Sequence, residues 1–480
     1  MGHDSILVVG AGVSGLCTAI FLARSGARVE IWEAAEKPGG LLRPVLFQGV
    51  PCDLGSHRIH GDALPILQQA APTLSWAERP RNGRLIFCAN RPAERTPPFA
   101  SLGRVERPVA CRHVPYPLRL RGFVQGLGPT LSARFFVSFL RREASLRKFL
   151  RWEADRTASS DLGATESEDL GFESFVRERV GDAAYRAFYQ PYVEKVWGLP
   201  ATAISKTVAK KRISTAQPIS VLADAVRASL RQQPAAARFL YPPQGIGALI
   251  QALCVEAEAL SVPIHYDRRF VEAEAAQFAR VVYTGHLSDL LPHQAALRLG
   301  HRGLYLIFLA FPASTLGPVD TYYVPGRGLW FGRVSLPNNF SPGLSRRNES
   351  LLCVEIPEGT WGNDLDFTQP AYLAELVRQL HRAGIVPPGL SRPTAVVQHF
   401  VPRVYPLYRR GWLAEFRREL EHIAQAGRVF PAGRQGLFLH CNIDHCVQIA
   451  RDVARHLLSG GSSHAWIAHC TRYLDVRVRD

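Results

Sequence analysis

Residues 5–34 read SILVVGAGVSGLCTAIFLARSGARVEIWEA and contain the elements that determine the fold. The run SILVV is short and apolar, which is typical of a strand that a parallel sheet buries on both faces. A glycine-rich turn follows, then apolar residues at helical spacing, and then a second short apolar run, RVEIW. The order strand, turn, helix, strand predicts a Rossmann-like α/β unit built on parallel strands.

Three glycines of the turn, Gly10, Gly12 and Gly15, have the spacing of a dinucleotide-binding fingerprint. Gly10 permits the tight turn, Gly12 lets the backbone approach a pyrophosphate, and Gly15 lets the helix pack closely on the strand. The free N–H groups at the start of the helix attract the phosphates. Glu33 closes the second strand, where a carboxylate accepts hydrogen bonds from a ribose. Because strand, helix and acid occur together, the sequence predicts a dinucleotide site.

Outward from this unit, the segment EKPGGLLR (36–43) places Gly39 and Gly40 just past Glu33. This glycine pair extends the phosphate-facing backbone beyond what a plain NAD domain needs. At these residues the chain resembles the FAD-dependent amine oxidase and protoporphyrinogen oxidase-like clan, which includes UDP-galactopyranose mutase. In that clan the three glycines, the acid and the glycine pair together hold FAD. The resemblance therefore implies a flavoprotein enzyme with FAD as its cofactor.

Shorter islands of the same resemblance lie along the rest of the chain. They are VPYPLRLRGF (114–123), AFYQPYVEKVWGLPATAIS (187–205), YPPQGIGALIQAL (241–253), VVYTGHLSDLL (281–291) and VFPAGRQGLFLHCNIDHCVQIARDVARHL (429–457). Their spread implies an α/β fold with a Rossmann-like FAD-binding domain of the GR2 type, an inserted helical domain and a β-sheet substrate domain. The expected boundaries are 1–78, 205–292 and 425–480 for the FAD-binding domain, 79–115 and 293–424 for the sheet domain, and 116–204 for the helical domain.

The turn PCDLGSHRIHG (51–61) concentrates polar residues after a predicted strand. In the clan, the strand after the glycine pair returns to the flavin and ends in a turn beside its reactive face. The resemblance therefore implies that Gly55 and Ser56 contact the cofactor. His57 is then expected within reach of flavin N5 or of the substrate. A histidine near neutrality relays a proton there or holds the geometry at N5.

Three arginines are candidate catalytic residues, because guanidinium forks match diphosphate and carboxylate groups bidentately. Arg58 either faces an anionic substrate or pairs with Asp53. Arg333, in WFGRVS, and Arg434, in VFPAGRQG, either bind the anionic group of the substrate or form internal ion pairs. The sequence leaves these alternatives open.

The last island, 429–457, has a second glycine turn, which lies between a short strand and an amphipathic helix. Such a turn suits the negative charge that a reduced flavin carries. By resemblance, Gly433 and Arg434 lie near the ribityl chain and the pyrimidine edge of the cofactor. The resemblance also implies cofactor contacts at Val271 and Asp444.

The composition gives 480 residues, 47% of them hydrophobic, and a formal net charge of +16. Nearly all of the excess is arginine. One interpretation is an arginine-rich solvated surface, and the other is a positive cleft for a dinucleotide and an anionic substrate. The arginines are not gathered into a basic tail with interleaved aromatics, so nucleic-acid binding is not expected. The expected partner is a small molecule, such as a nucleotide sugar or another anion.

The nine cysteines are scattered singly, without CxxC pairs or other metal-ligand spacing, so no metal site is expected. No signal peptide precedes SILVVG, and no apolar run approaches the roughly 20 residues that span a bilayer. These features predict a cytoplasmic protein with reduced thiols and no transmembrane segment. The oligomeric state is left open.

Two flavin chemistries fit the motifs. The favoured one is an FAD-dependent oxidoreductase in which a small, anionic substrate passes a hydride to flavin N5, and the Gly-Ser-His-Arg turn supports it. The alternative is a non-redox isomerase similar to UDP-galactopyranose mutase, acting on a nucleotide sugar through reduced FAD. Tyr-Thr-Gly at 283–285, Arg434 and the arginine excess support the alternative. Against it, the 51–61 turn lacks the proline of the mutases, and LFLHCNIDH lacks their tyrosine.

Overall fold

The computed structural model describes residues 5–88, 111–116, 171–212, 238–312, 316–341, 343, 349–360 and 365–478. The strands are β1 (Ser5–Val9), β2 (Arg28–Trp32), β3 (Val45–Phe47), β4 (Val50–Cys52), β5 (Ala77–Pro80), β6 (Gly83–Cys88), β7 (Cys111–Tyr116), β8 (Arg238–Tyr241), β9 (Ile264–His265), β10 (Arg280–Tyr283), β11 (His301–Phe311), β12 (Thr321–Tyr323), β13 (Arg333–Ser335), β14 (Ser350–Pro357), β15 (Ala395–Pro406) and β16 (Val429–Pro431). The helices are α1 (Val13–Ala23), α2 (Leu64–Ala70), α3 (Phe172–Ala184), α4 (Gln190–Trp197), α5 (Lys206–Arg212), α6 (Gly247–Ala259), α7 (His293–Arg298), α8 (Pro337–Phe340), α9 (Pro370–Arg382), α10 (Trp412–Gln425), α11 (Gly433–Gly436), α12 (Ile443–Leu458) and α13 (Ser463–Cys470).

A five-stranded sheet with the order β16-β10-β1-β2-β9 carries the amino-terminal unit. The central strand β1 pairs in parallel with β10 on one side and with β2 on the other. The outer pairs, β10 with β16 and β2 with β9, are parallel as well. The prediction of a Rossmann-like unit on a parallel sheet is therefore confirmed.

Strand β1 lies between two hydrophobic cores, because successive side chains of a strand point to opposite faces. Ile6 and Val8 belong to the core that contains α1 and α12. Leu7 and Val9 belong to a second core that contains residues of β11 and α10. Both faces of β1 are covered, which explains why its sequence is a continuous apolar run instead of an alternating one.

A seven-stranded sheet with the order β15-β11-β14-β13-β12-β6-β7 forms the other large layer. Its 11-residue strand β11 pairs antiparallel with both β14 and β15. Strand β12 pairs in parallel with β6, so the sheet joins β6 and β7 to strands beyond residue 300. This sheet corresponds to the β-sheet layer predicted from the sequence, and the domain boundaries remain a prediction.

Helices α3 and α4 are joined by a π-helical turn at Tyr185–Tyr189, and they lie in the predicted helical domain, 116–204. Residues 117–170 of that prediction lie outside the described residues. None of the helices in the described ranges combines the length and apolar character needed to cross a bilayer.

Cys88 and Cys111 form a disulfide between β6 and β7. The two residues are direct partners in the antiparallel register of these strands. The prediction that the cysteines are reduced is therefore wrong for this pair, whereas the other seven are free thiols. Strand register brings the two sulfurs together, and the spacing of single cysteines along the chain does not reveal that register.

Candidate functional site

A cavity of about 660 Å³ lies at the carboxyl ends of β1, β2 and β10. Ligands of open α/β sheets bind at this edge of the strands. The 10–15 turn, the 39–43 segment and the 54–58 turn contribute to its wall, and so do residues of the last island. The structure thus brings the two glycine motifs, the polar turn and the carboxyl-terminal turn to one site.

The glycine turn after β1 permits close backbone approaches. Gly10 has φ +99°, and a Cβ there would lie 2.7 Å from Thr284 Oγ1. A Cβ on Gly15 would lie 1.8 Å from the Gly10 carbonyl oxygen, so helix α1 can pack on this turn only without a side chain. The first glycine therefore serves the turn, and the third serves helix packing, as the fingerprint predicts.

Gly12 and Gly40 face each other across the cavity wall. A Cβ on Gly12 would lie 4.0 Å from the Gly40 Cα, and a Cβ on Gly40 would lie 3.6 Å from the Gly12 Cα. The Gly39 N–H donates to the Ala11 carbonyl at 2.9 Å, which fixes the second glycine segment against the first. The two motifs form one surface of bare backbone, which we call the glycine cradle (residues 10–15 and 39–40).

The Glu33 carboxylate holds the end of β2 against this cradle. One oxygen accepts the Ala11 N–H at 2.6 Å, and the other accepts the Ala35 N–H at 2.9 Å. Glu33 also lines the cavity, beside Trp32. Because each carboxylate oxygen has a second lone-pair site, Glu33 can still accept a ligand hydroxyl.

Asp53 anchors the polar turn to a distant helix. Its carboxylate accepts the Tyr241 hydroxyl at 2.6 Å and the N–H groups of Ile246 and Gly247 at 2.9 and 3.3 Å. Burial raises the pKa of Asp53, and the three hydrogen bonds oppose that rise. The 51–61 turn is therefore attached to the start of α6.

Arg58 lines the cavity, but its guanidinium is engaged by the sheet layer. It forms an ion pair with Asp320 at 2.5 Å and donates to Thr321 Oγ1 at 2.6 Å. The rings of Phe239 and Phe340 lie 5.4 and 5.1 Å from its guanidinium carbon. The predicted alternative of a pair with Asp53 is wrong, because the Asp53 carboxylate is bonded to Tyr241 and the start of α6, and the ion pair of Arg58 is with Asp320.

His57 lines the cavity, and its Nε2 lies 3.1 Å from the Leu54 carbonyl oxygen. Burial, together with the positive charges of Arg333 and Arg434, lowers the pKa of His57 to about 4. The imidazole is therefore neutral at neutral pH. A carbonyl only accepts, so Nε2 carries the proton and Nδ1 is left as an acceptor.

Arg333 and Arg434 line the same cavity and differ in their partners. Arg333 Nε donates to Glu355 Oε1 at 2.6 Å, and although burial lowers the pKa of Arg333, the Glu355 charge raises it well above its ordinary value. Arg434 donates to the carbonyls of Cys441 at 2.6 Å and Val404 at 3.1 Å. Its buried Nε has no partner. Within the described part of the chain, no carboxylate contacts Arg434.

The cavity wall is strongly basic. Among the described residues, seven arginines line it, against two carboxylates. The arginines are Arg43, Arg58, Arg268, Arg269, Arg333, Arg403 and Arg434, and the carboxylates are Glu33 and Asp289. Such a wall attracts a dinucleotide or another anion.

Five predicted cofactor residues do not line the cavity: Gly15, Gly55, Val271, Gly433 and Asp444. Gly55 has φ +89°, and a Cβ there would lie 2.8 Å from Glu355 Oε1. A Cβ on Gly433 would lie 2.4 Å from Ser14 Oγ. Val271 is 45% exposed, and its neighbour Phe270 lines the cavity instead. The cofactor contacts of these residues stay predictions.

The sequence did not single out some cavity residues, such as Ser14, Thr284, Asn442, Cys441 and Cys446. Ser14 lies inside a segment that was recognised for its glycines, and Thr284 lies inside Tyr-Thr-Gly (283–285), which was noted for its resemblance to the mutases without a role for the threonine. Asn442 is the N-cap of α12 and forms a capping box with His445, a signal that precedes an apolar helical pattern. The two cysteines have no comparable signal in the sequence.

No group of three or more histidine, cysteine, aspartate or glutamate residues that could hold a metal occurs in the described ranges. His440 and Cys441 both line the cavity, but they do not belong to a group of this kind among the described residues.

A model of the NAD(P)-binding Rossmann-like domain matches residues 8–70. Among curated proteins, the hydroxyneurosporene desaturase of Rubrivivax gelatinosus is 44% identical over 50 residues, which is 10% of this chain and 10% of the desaturase. The corresponding desaturase of Rhodobacter capsulatus is 46% identical over 53 residues, 11% of each chain. The chain therefore matches about a tenth of the length of these relatives.

Solved structures are similar over nearly the whole chain. Reduced UDP-galactopyranose mutase superposes with a TM-score of 0.73 at 17% identity, covering 100% of this chain and 98% of the mutase. A putative protoporphyrinogen oxidase from Exiguobacterium sp. 255-15 gives 0.64 at 15% identity, covering 96% and 100%. Cyclohexylamine oxidase from Brevibacterium oxydans gives 0.60 at 14% identity, covering 95% and 99%. The chain therefore has the fold of the FAD-dependent amine oxidase and protoporphyrinogen oxidase-like clan.

Proposed function

We propose that this chain is an FAD-dependent oxidoreductase that oxidises a small, anionic substrate. The observation that carries the proposal is one cavity lined by two unlike groups of residues, which we call its cradle end and its basic end. The glycine cradle and Glu33 form the cradle end, and neutral His57, with the charges of Arg333 and Arg434 near it, forms the basic end. A dinucleotide fits the first end, and a small anion fits the second.

The residues present fit FAD. Gly12 and Gly40 line the cavity with bare backbone, so a pyrophosphate could approach their main chain closely, and a side chain on either would cover that surface. The start of α1 adds free N–H groups and the positive end of the helix dipole. Glu33 would accept a ribose hydroxyl, and Arg268, stacked 3.7 Å from the Trp32 ring, adds positive charge. When bound, FAD would supply the hydride acceptor at flavin N5.

At the basic end, the protein's own contribution to the reaction comes from His57 and Arg434. Neutral His57 has a free acceptor at Nδ1, so it can take a proton from a substrate group that approaches the cavity wall. Arg434 has no carboxylate partner among the described residues, so its charge remains available to an anion. A half-buried cation without a carboxylate partner favours binding of an opposite charge.

The alternative is a non-redox isomerase similar to UDP-galactopyranose mutase, and the basic cavity wall favours it. Guanidinium forks suit the diphosphate of a nucleotide sugar, and Arg43 and Arg269 line the cavity in addition to Arg434. Neither has an ion pair with a described carboxylate. The similarity to the mutase concerns the fold and does not weigh between the two chemistries.

One anaerobic experiment separates the two proposals. The purified protein is mixed with a panel of amines, porphyrinogens and nucleotide sugars while the visible flavin absorbance is recorded. Bleaching by one compound supports the oxidoreductase and gives its substrate class. If nothing bleaches the flavin, but a nucleotide sugar rearranges after chemical reduction of the flavin, the isomerase is correct. Protein without a flavin absorbance would contradict both.

A cytoplasmic location remains a prediction. The Cys88–Cys111 disulfide weighs against it, because structural disulfides are rare in reducing compartments.

A further inference from the structure

Cys441 and Cys446 form a pair of free thiols in the wall of the cavity. Their sulfurs lie 3.8 Å apart, and the side chains are hydrogen-bonded to each other. Both are buried, at 5% and 4% exposure, and both line the cavity. The proposed oxidoreductase and isomerase chemistries use neither thiol.

The local backbone brings the sulfurs together. Cys441 precedes Asn442, the N-cap of the 16-residue helix α12, and Cys446 lies on the first turn of that helix. The Cys446 N–H donates to the Asn442 carbonyl at 3.3 Å, and the Asn442 N–H donates to His445 Nδ1 at 3.1 Å. A disulfide requires a sulfur separation of about 2.05 Å, so the side chains have less than 2 Å to close.

The surroundings of the two thiols are positive and unequal. The hydrogen bond from Cys441, the charge of Arg434 and the Ser14 hydroxyl lower the pKa of Cys446. The same hydrogen bond, together with burial, raises the pKa of Cys441. The buried Lys211 also lies near Cys441. Cys446 is therefore the better nucleophile and Cys441 the proton donor, the division of roles found in exchanging dithiols.

We propose that Cys441 and Cys446 are a redox-active dithiol that low-molecular-weight disulfides oxidise to an internal disulfide. The Cys446 thiolate attacks a disulfide RSSR, forms a mixed disulfide with one half, and releases the other as RS⁻. Cys441 then loses its proton and attacks the Cys446 sulfur, which forms the internal disulfide and releases the second RS⁻. Two protein thiols and RSSR thus give one protein disulfide and two RSH.

Oxidation acts on the same segment that holds Arg434. Arg434 Nη1 donates to the Cys441 carbonyl at 2.6 Å, and the Arg434 charge lowers the pKa of Cys446. A disulfide removes the partial thiolate beside Arg434 and fixes Cys441 to the first turn of α12. Oxidation of the dithiol therefore changes the electrostatic surroundings of Arg434 and the segment to which Arg434 is hydrogen-bonded. The inference concerns the protein's own thiols and does not depend on the proposed function.

Peptide mapping of the wild-type protein tests the proposal. The protein is equilibrated with mixtures of reduced and oxidised glutathione, quenched in acid, alkylated and digested with trypsin. Both cysteines fall on one peptide, residues 435–451, which contains no other cysteine. We expect this peptide to change from doubly alkylated to unalkylated, with a mass lower by two hydrogen atoms than the dithiol. The half-buried Cys254 should remain alkylated.

Two variants distinguish the roles, with Cys254→Ser as the matched control. Cys441→Ser should retain glutathione on Cys446, Cys446→Ser should retain none, and Cys254→Ser should behave as wild type. The proposal is wrong if the wild-type 435–451 peptide stays doubly alkylated across the series while circular dichroism shows a folded protein. It is also wrong if Cys254 is oxidised as readily as the pair.

Discussion

Backbone forms the cradle end of the cavity, whereas side chains form its basic end. The glycine cradle consists of two segments close in sequence, residues 10–15 and 39–40, whose glycines expose bare backbone in the cavity wall. The basic end consists of side chains from three distant segments, represented by His57, Arg333 and Arg434. The first end is specified by local sequence, whereas the second depends on long-range packing and on charge.

The largest expected effect comes from filling the cradle. Gly12→Val should yield folded but colourless protein, because a branched side chain would cover the bare Gly12 backbone in the cavity wall that a pyrophosphate has to approach closely. The ratio of flavin to protein absorbance measures the loss. Gly328→Val is the matched control, since a Cβ there meets nothing within 4 Å. A yellow, stoichiometric Gly12→Val protein would contradict the assignment of the cradle.

At the basic end, His57→Ala should keep FAD and lower turnover by about 10²- to 10⁴-fold, the usual contribution of a positioned acid–base group. The physical reason is the loss of the Nδ1 acceptor in the cavity wall. Turnover and flavin content are measured together, with the exposed His293→Ala as the control. Unchanged turnover would make His57 a structural residue, and the two ends would then differ less than proposed.

Arg434→Ala tests whether the unpaired charge serves the substrate. A charged hydrogen bond contributes about 1.5–3 kcal/mol, so the KM of an anionic substrate should rise about 10- to 100-fold with a smaller change in kcat. Steady-state kinetics and flavin content are compared with those of Arg434→Lys, which keeps the charge. If the alanine variant loses FAD instead, Arg434 belongs to the cofactor end of the comparison.

The smallest expected effect is a pH dependence of stability, which arises from buried histidines in and near the basic end. Burial lowers the pKa of His57 and His286 to about 4 and that of His301 to about 3, from an ordinary value of 6.5. Below about pH 6.5 these histidines are protonated in the unfolded chain but stay neutral in the folded chain. The free energy of unfolding should therefore fall as the pH decreases from about 6.5 toward about 4. The thermal midpoint at several pH values measures this loss.

His57→Gln serves as the control for that pH series, because it removes one of these three histidines with a lowered pKa. The slope of the midpoint against pH should decrease in this variant and stay unchanged in Gly328→Val. An equal slope in wild type and His57→Gln would contradict the neutral state assigned to His57.

The sequence predicted the cradle well because its determinants are local. Gly10, Gly12 and Gly15 act within one turn, and Glu33 follows along the same strand–helix–strand unit. Each of these four residues has a physical role that its position within the unit predicts. The α/β class follows from the same short stretch.

The basic end was predicted only in outline, since its pairs are distant along the chain. Arg58 and Asp320 are 262 residues apart, and the sequence offered Asp53 as the partner of Arg58 instead. The Asp53 carboxylate in fact accepts bonds from Tyr241 and from the start of α6. The Cys88–Cys111 disulfide was missed for the same reason, because strand register decides it.

The strand order β16-β10-β1-β2-β9 has a consequence for how the protein is made. The central strand β1 is the first to leave the ribosome, but β10, its neighbour, follows only at residue 280, and β16 only at residue 429. Until then β10 presents an open edge, and the cavity lacks the wall that Arg434 and α12 provide. The cradle can be synthesised early, but the completed cavity, and with it cofactor loading, must wait for Arg434 and α12.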